Sequence, residues 1–209
     1  MNRRLLGPLA GRSIADFVLL IVTLVELGFL FTIVPRFTAT DWIYVSQHLL
    51  VLGIALTREP PRAQDRSLAS NIAVVVSYTY PYAQVALLRW GTGYVVWPTV
   101  GVILVTVAAA LSFASLFALG RGFGLRPALR RLATTGPYRL VRHPIYFSYL
   151  VADLGYNLTE WARGSVLVML IGWASLVYRI QAEERILSQD GAWAGYRASV
   201  RYRLIPGIW

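Results

Sequence analysis

The chain has 209 residues, 56% hydrophobic and only 14% charged, where a soluble domain usually carries roughly 25% charged residues; this balance reads as an integral membrane protein. It has no cysteine, which excludes disulfides, thiolate metal sites and a cysteine nucleophile, and with His48 and His143 as its only histidines no metal site is expected. The net charge of +10 would suit nucleic acid, but in so apolar a chain it reads as topology and headgroup contact, with membrane lipids and not nucleic acid as partner.

Six apolar stretches follow in order: Ile14–Val34, Trp42–Leu56, Leu68–Leu88, Tyr94–Leu119, Ile145–Leu158 and Ser165–Ile180. A spanning helix needs about 20 apolar residues, which the first, third and fourth supply. The second, fifth and sixth must recruit flanking residues such as Trp161 or Tyr178; alternatively two of the six form a re-entrant pair. Met1–Arg4 before an apolar run resembles a signal peptide, but the run is too long and no small-residue cleavage site follows, so it reads as a retained first span. Pro60–Pro61 stops the second helix inside the polar connector Arg58–Ser67. Gly120, Gly122 and Gly124 follow a helix and fit a loop. No Rossmann fingerprint, Walker loop or Gly-x-Ser-x-Gly elbow is present.

Every basic residue is arginine. With the N-terminus in the cytoplasm, all but Arg36, Arg89 and Arg163 of the 20 arginines fall inside, a strong positive-inside bias that favours an even number of spans. The expected fold is all-α: a polytopic membrane protein of about six transmembrane helices with a cytoplasmic C-terminal helical tail. Both termini are placed in the cytoplasm, and the arginine-only set fits a bacterial cell membrane. Residues 1–120 are read as a four-helix membrane part and 121–209 as the catalytic part of one integrated domain.

Two stretches carry chemistry. In "GPYRLVRHPIY" (136–146), Thr134–Pro137 reads as a turn and Pro144 as the first position of the fifth helix. His143 then sits at its N-cap, where free N–H groups and the helix dipole attract an anionic group. Arg139 and Arg142 would otherwise be plain snorkelling anchors. In "RIQAEERILSQDGAWAGYRASVRYRLIPGIW" (179–209), Glu183 and Glu184 lie just beyond the last span. Ile186, Trp193, Tyr196 and Val200 recur at helical spacing, with Gly191 and Gly195 breaking the helix. Alone this is an amphipathic interfacial tail. A short hairpin separates the two stretches, so the acids return towards Arg142 and His143. Carboxylates beside Tyr138, Tyr146, Tyr149 and Tyr196 would hold a cationic ligand; the arginines would pair a carboxylate.

"GPYRLVRHPIYFSYL" with "AEERILSQDGAWAGYRASVRYRLIP", preceded by "ALGRGFGLRP", resembles the isoprenylcysteine carboxyl methyltransferase family, with phospholipid N-methyltransferases as distant relatives. The resemblance covers roughly Leu119 to Pro206. It implies S-adenosylmethionine as cofactor, held by Leu140, Val141, His143, Pro144, Tyr146, Glu183, Glu184 and Tyr196, with Arg197 following Tyr196 as a basic residue does in the family. Ser148 stands where the family often has glycine, and the acidic run is shorter than in eukaryotic members.

The expected reaction is methyl transfer at the cytoplasmic membrane face to a lipid-like or prenylated acceptor, such as the carboxylate of an isoprenylcysteine-type molecule. It depends on in-line positioning, which contributes about 7–11 kcal/mol, and on water exclusion. A carboxylate nucleophile needs no base but does need a cation, Arg142 or Arg139, with Glu184 ordering the arginine or the donor. The rivals are an NADPH-dependent membrane reductase of sterol-reductase type and a non-catalytic carrier. Glu26 and Asp153 lie mid-span, where acids are expensive and often functional; both are expected to be satisfied by neighbours such as Thr23, Ser148 or Asn157. His48 reads as a packed core histidine.

Overall fold

The computed structural model describes residues 14–33, 37, 39–90 and 94–209. Arg3, Arg4, Arg12 and Arg36, used above to orient the chain, lie outside them. The described chain is mostly helical: α1 Ile14–Ile33, α2 Ala39–Thr57, α3 Leu68–Trp90, α4 Pro98–Leu119, α5 Pro144–Thr159, α6 Ser165–Leu187 and α7 Trp193–Ser199. Two short antiparallel pairs tie connectors together, β1 (Ala63–Gln64) with β3 (Ala128–Leu129) and β2 (Tyr94–Val95) with β4 (Glu160–Trp161).

The helix boundaries follow local chemistry. Pro98 and Pro144 occupy first-turn positions, where the missing N–H costs nothing. Ser67 stands before α3, and its hydroxyl accepts the Ser70 N–H at 3.2 Å, a side-chain N-cap. The fourth apolar stretch begins helically at Pro98, not at Tyr94, because Tyr94 and Val95 pair with the segment after α5; Trp161 joins that ladder instead of extending the fifth helix. The sixth helix runs seven residues past Ile180, to Leu187. Gln181, Ala182, Glu183, Glu184 and Arg185 are good helix formers, so the twin acids lie inside the last two turns of α6 and not beyond it. Gly191 does fall in a break, whereas Gly195 is inside α7.

α5 lies along α4, and α3 along α6. The first pair meets backbone to backbone. A Cβ at Gly155 would sit 2.8 Å from the Gly101 carbonyl oxygen and 2.9 Å from the Val105 nitrogen, so only glycine fits. On the other side, a Cβ on Gly172 would fall 2.5 Å from the Tyr80 ring, and that ring carries its hydroxyl to Asp153. These contacts fix where α5 starts, and therefore where His143 stands.

Among the described residues, Pro98–Gly122 and Ser165–Leu187 are long and apolar enough to cross a membrane. Large apolar side chains stay exposed on α1 (Leu24, Val25), α2 (Leu49), α3 (Ile72, Val75), α4 (Ile103, Val107, Phe117) and α6 (Leu167, Leu170). Exposed apolar surface of this extent requires an apolar environment.

Candidate active site

The corner is built first by backbone. Gly136 takes φ +57°, opening a 3-10 turn, Gly136–Arg139, that brings the chain to His143 at the N-cap of α5. Helix N-termini expose N–H groups, but here the C-terminal tail uses them. Arg142 N–H donates to the Tyr202 carbonyl at 2.9 Å and His143 N–H to that of Arg203 at 2.8 Å. The expected anion cradle at this helix end is therefore occupied by the protein itself. The tail is closed in turn, since the N–H groups of Arg203, Leu204 and Ile205 converge on the Trp209 carbonyl.

Side chains complete the corner. Arg142 Nε donates to Glu184 Oε1 at 2.8 Å, and its Nη1 donates to the carbonyls of Val200 (2.8 Å) and Arg201 (2.7 Å). Arg203 Nε donates to Glu184 Oε2 at 2.8 Å, and His143 Nε2 lies 3.3 Å from Oε1. One carboxylate thus ties α6 to the start of α5 and to the tail, with planar guanidinium geometry holding the angle. Tyr196 donates to the Tyr138 carbonyl at 2.9 Å; burial pushes its phenol up to about 12, so it stays protonated and keeps donating. Burial likewise raises Tyr138 well above the usual phenol range.

A cavity of about 210 Å³ opens beside this corner. Its wall near the corner includes Tyr138, His143, Tyr146, Tyr149, Arg179 and Glu183. Tyr146 donates to Glu183 Oε2 at 2.9 Å. The Arg179 guanidinium lies 5.2 Å from the Tyr146 ring centroid, donating to Ser77 Oγ at 2.8 Å and the Leu125 carbonyl at 2.7 Å. Arg179 is 5% exposed, pairs with no carboxylate among the described residues, and its Nε is buried without a partner. Asp153, further along α5 on the same cavity, accepts from Tyr80 and from Trp173 Nε1, each at 2.8 Å; Ser148 donates instead to the Ile145 carbonyl, and Asn157 to the Asp153 backbone carbonyl. His48 packs its ring on Tyr44, centroids 4.3 Å apart, and its Nε2 lies 3.3 Å from Glu26 Oε2.

Of the residues singled out in sequence, His143, Tyr146 and Glu183 line the cavity. Arg142, Glu184 and Tyr196 stand behind it as the buried lock described above. Val141 and Pro144 are buried, while Leu140 is 70% exposed. Arg139 is exposed and borders a shallow depression with Tyr196 and Val200, away from the cavity. Sequence reasoning misses Arg179 because an arginine at the cytoplasmic end of a span resembles any other topological anchor. Its only distinguishing signal is its place one helical turn before Glu183.

The cavity wall carries a carboxylate, aromatic faces and a buried guanidinium with an idle N–H. No curated protein matches the chain. Residues 96–190 match the model of the phospholipid methyltransferase family, whose members generally use S-adenosylmethionine. The stretch that carries α4, α5 and most of the twin-acid helix and corner is thus similar to the phospholipid methyltransferase family, which includes the isoprenylcysteine carboxyl methyltransferase-like membrane enzymes.

Proposed function

We propose that the protein is a multi-pass membrane enzyme that transfers a methyl group from S-adenosylmethionine to a carboxylate on a lipid-like acceptor, at the cytoplasmic face. The observation that carries this reading is the meeting of the Arg-His-Pro-x-Tyr element with the twin-acid end of α6 beside one cavity, His143 to Glu184 at 3.3 Å behind the wall and Tyr146 to Glu183 at 2.9 Å in it. The exposed apolar side chains on five helices support membrane crossing by more helices than the two that are both long and apolar enough, and the arginine distribution supports cytoplasmic termini.

In this reading residues 121–209 hold the donor and residues 1–120 supply most of the acceptor's apolar walls. Glu183 takes the donor's ammonium, and the faces of Tyr146 and Tyr138 take its cationic sulfur side. The donor supplies an electrophilic methyl group on a positively charged sulfur. The acceptor carboxylate oxygen forms its bond to that carbon as the carbon–sulfur bond breaks, the bonding pair staying on sulfur. No proton moves, so no general base is needed. Arg179 replaces Arg142 and Arg139 as the orienting cation, because it faces the cavity and has a hydrogen to spare. Arg142 and Glu184 act as positioning residues, holding His143 and α6 in register. Burial of the reacting carboxylate beside one guanidinium, away from water, raises its reactivity.

The test uses purified protein in vesicles of total bacterial lipid with methyl-labelled S-adenosylmethionine. Label should enter the organic phase and be released by mild alkali as volatile methanol, the signature of a methyl ester. Alkali-stable label in a lipid amine would keep the methyltransferase and refute the carboxylate. NADPH oxidation without methyl transfer would refute both.

A further inference from the structure

The cavity has a second polar region. Thr57 at the end of α2 is held by Arg121 Nε, which donates to its carbonyl at 2.6 Å, on the face where the corner sits. His48 lies two and a half turns earlier in α2, some 13 Å deeper at about 1.5 Å per residue. Around it, Glu26 from α1, Tyr44 from α2 and Tyr82 from α3 line the same cavity. Glu26 is 7% exposed, and no arginine among the described residues pairs with it.

Counting hydrogens shows what this cluster lacks. His48 Nδ1 lies 2.9 Å from the Tyr44 carbonyl, which can only accept, so Nδ1 carries a hydrogen, and in that tautomer Nε2 is an acceptor. Tyr44 donates its hydrogen to Tyr82 Oη at 3.0 Å. Tyr82 Oη is 3.0 Å from His48 Nε2, and Glu26 Oε2 is 3.3 Å from that same nitrogen. Tyr82 has one hydrogen to serve both acceptors, so one stays open. Glu26 Oε2 is buried and accepts no hydrogen bond. A buried acceptor left unsatisfied costs about 1–3 kcal/mol, and it faces a space that a ligand fills.

We propose that Glu26, His48, Tyr44 and Tyr82 form a second binding subsite, which takes a hydrogen-bond-donating group, a hydroxyl or an ammonium, carried on the acceptor at a distance from its methylated end. The inference rests on the reading above for calling that ligand the acceptor. The acceptor is then a bipolar lipid-soluble molecule: an anionic group meets Arg179, an apolar middle crosses the cavity past Val51, Val85 and Val105, and a donor group ends at Glu26. A purely hydrocarbon tail would leave the open acceptor unsatisfied.

The probes are radiolabelled dodecylamine, dodecan-1-ol and dodecanoic acid, measured by scintillation proximity on protein in phosphatidylcholine nanodiscs, with protein-free discs as blank. Glu26→Gln should weaken the amine, the alcohol or both at least ten-fold and leave dodecanoic acid unchanged; loss of the amine alone assigns an ammonium, and loss of the alcohol alone a hydroxyl. Glu26→Leu, which removes both carboxylate oxygens, should act in the same direction and serves if Glu26→Gln does not fold. Amine and alcohol binding that survives both substitutions overturns the subsite. S-adenosylhomocysteine binding is measured on the same samples. Its absence from folded wild-type protein overturns the methyltransferase reading alone, because probe selectivity is read separately.

Discussion

Two buried arginines behave in opposite ways. Arg142 has Glu184, two tail carbonyls and the backbone of Tyr202 around it, and it does not line the cavity. Arg179, equally buried, lines the cavity with no carboxylate and an idle Nε. Arg142 belongs to the most conspicuous motif of the sequence and works as a lock. Arg179 has the sequence context of an ordinary boundary arginine and is left free to act. Charge density in a motif therefore marks where the chain is fastened, and an unsatisfied group marks where a ligand goes.

That contrast can be broken by substitution. The largest effect is expected at the lock: Glu184→Ala leaves Arg142 and Arg203 without their carboxylate, and removing one partner of a buried pair costs about 3–5 kcal/mol. Thermal unfolding in detergent should fall sharply, and folded yield with it. Next, Arg179→Met should lower turnover at least a hundred-fold, about 2.7 kcal/mol of transition-state stabilisation, while unfolding shifts by about 1–3 kcal/mol, the cost of one buried acceptor left open. Ser77 keeps its bond to the Val74 carbonyl at 3.0 Å, so the Leu125 carbonyl is the group that loses its donor. If Arg179→Met unfolds the protein and Glu184→Ala does not, the assignment of lock and free cation is reversed. Glu183→Gln should weaken S-adenosylhomocysteine at least ten-fold, about 1.4 kcal/mol, with unchanged unfolding. The smallest effect calibrates the others: Ser67→Ala removes the cap on α3 at a cost of about 1 kcal/mol, with no change in donor binding.

The sequence makes some of this legible and hides the rest for physical reasons. The His143–Pro144 helix start follows from proline's fixed geometry, and the return of the acids to it from a short hairpin. Hydropathy understates the length of α6, because it ends at Ile180 while helix propensity does not. The filling of the α5 N–H groups by Tyr202 and Arg203 is a tertiary event with no local signal. Glu26 and His48 each stand isolated on apolar helices; that they meet depends on how α1 packs on α2, which hydropathy does not specify. Arg179 is hidden for a related reason, since one pattern of boundary arginines covers both anchors and ligand-facing groups. Gly101 and Gly155 read as unremarkable until the backbones of α4 and α5 are seen to touch.

The central claim is that the twin-acid corner and its cavity form a site for a methyl donor. Isothermal calorimetry of S-adenosylhomocysteine with the purified protein, wild type beside Glu183→Gln, tests it most directly. Saturable one-to-one heat in the wild type, lost in the variant at unchanged unfolding temperature, is the predicted result. A well-folded wild type that gives no heat, or a variant that binds equally well, would contradict it.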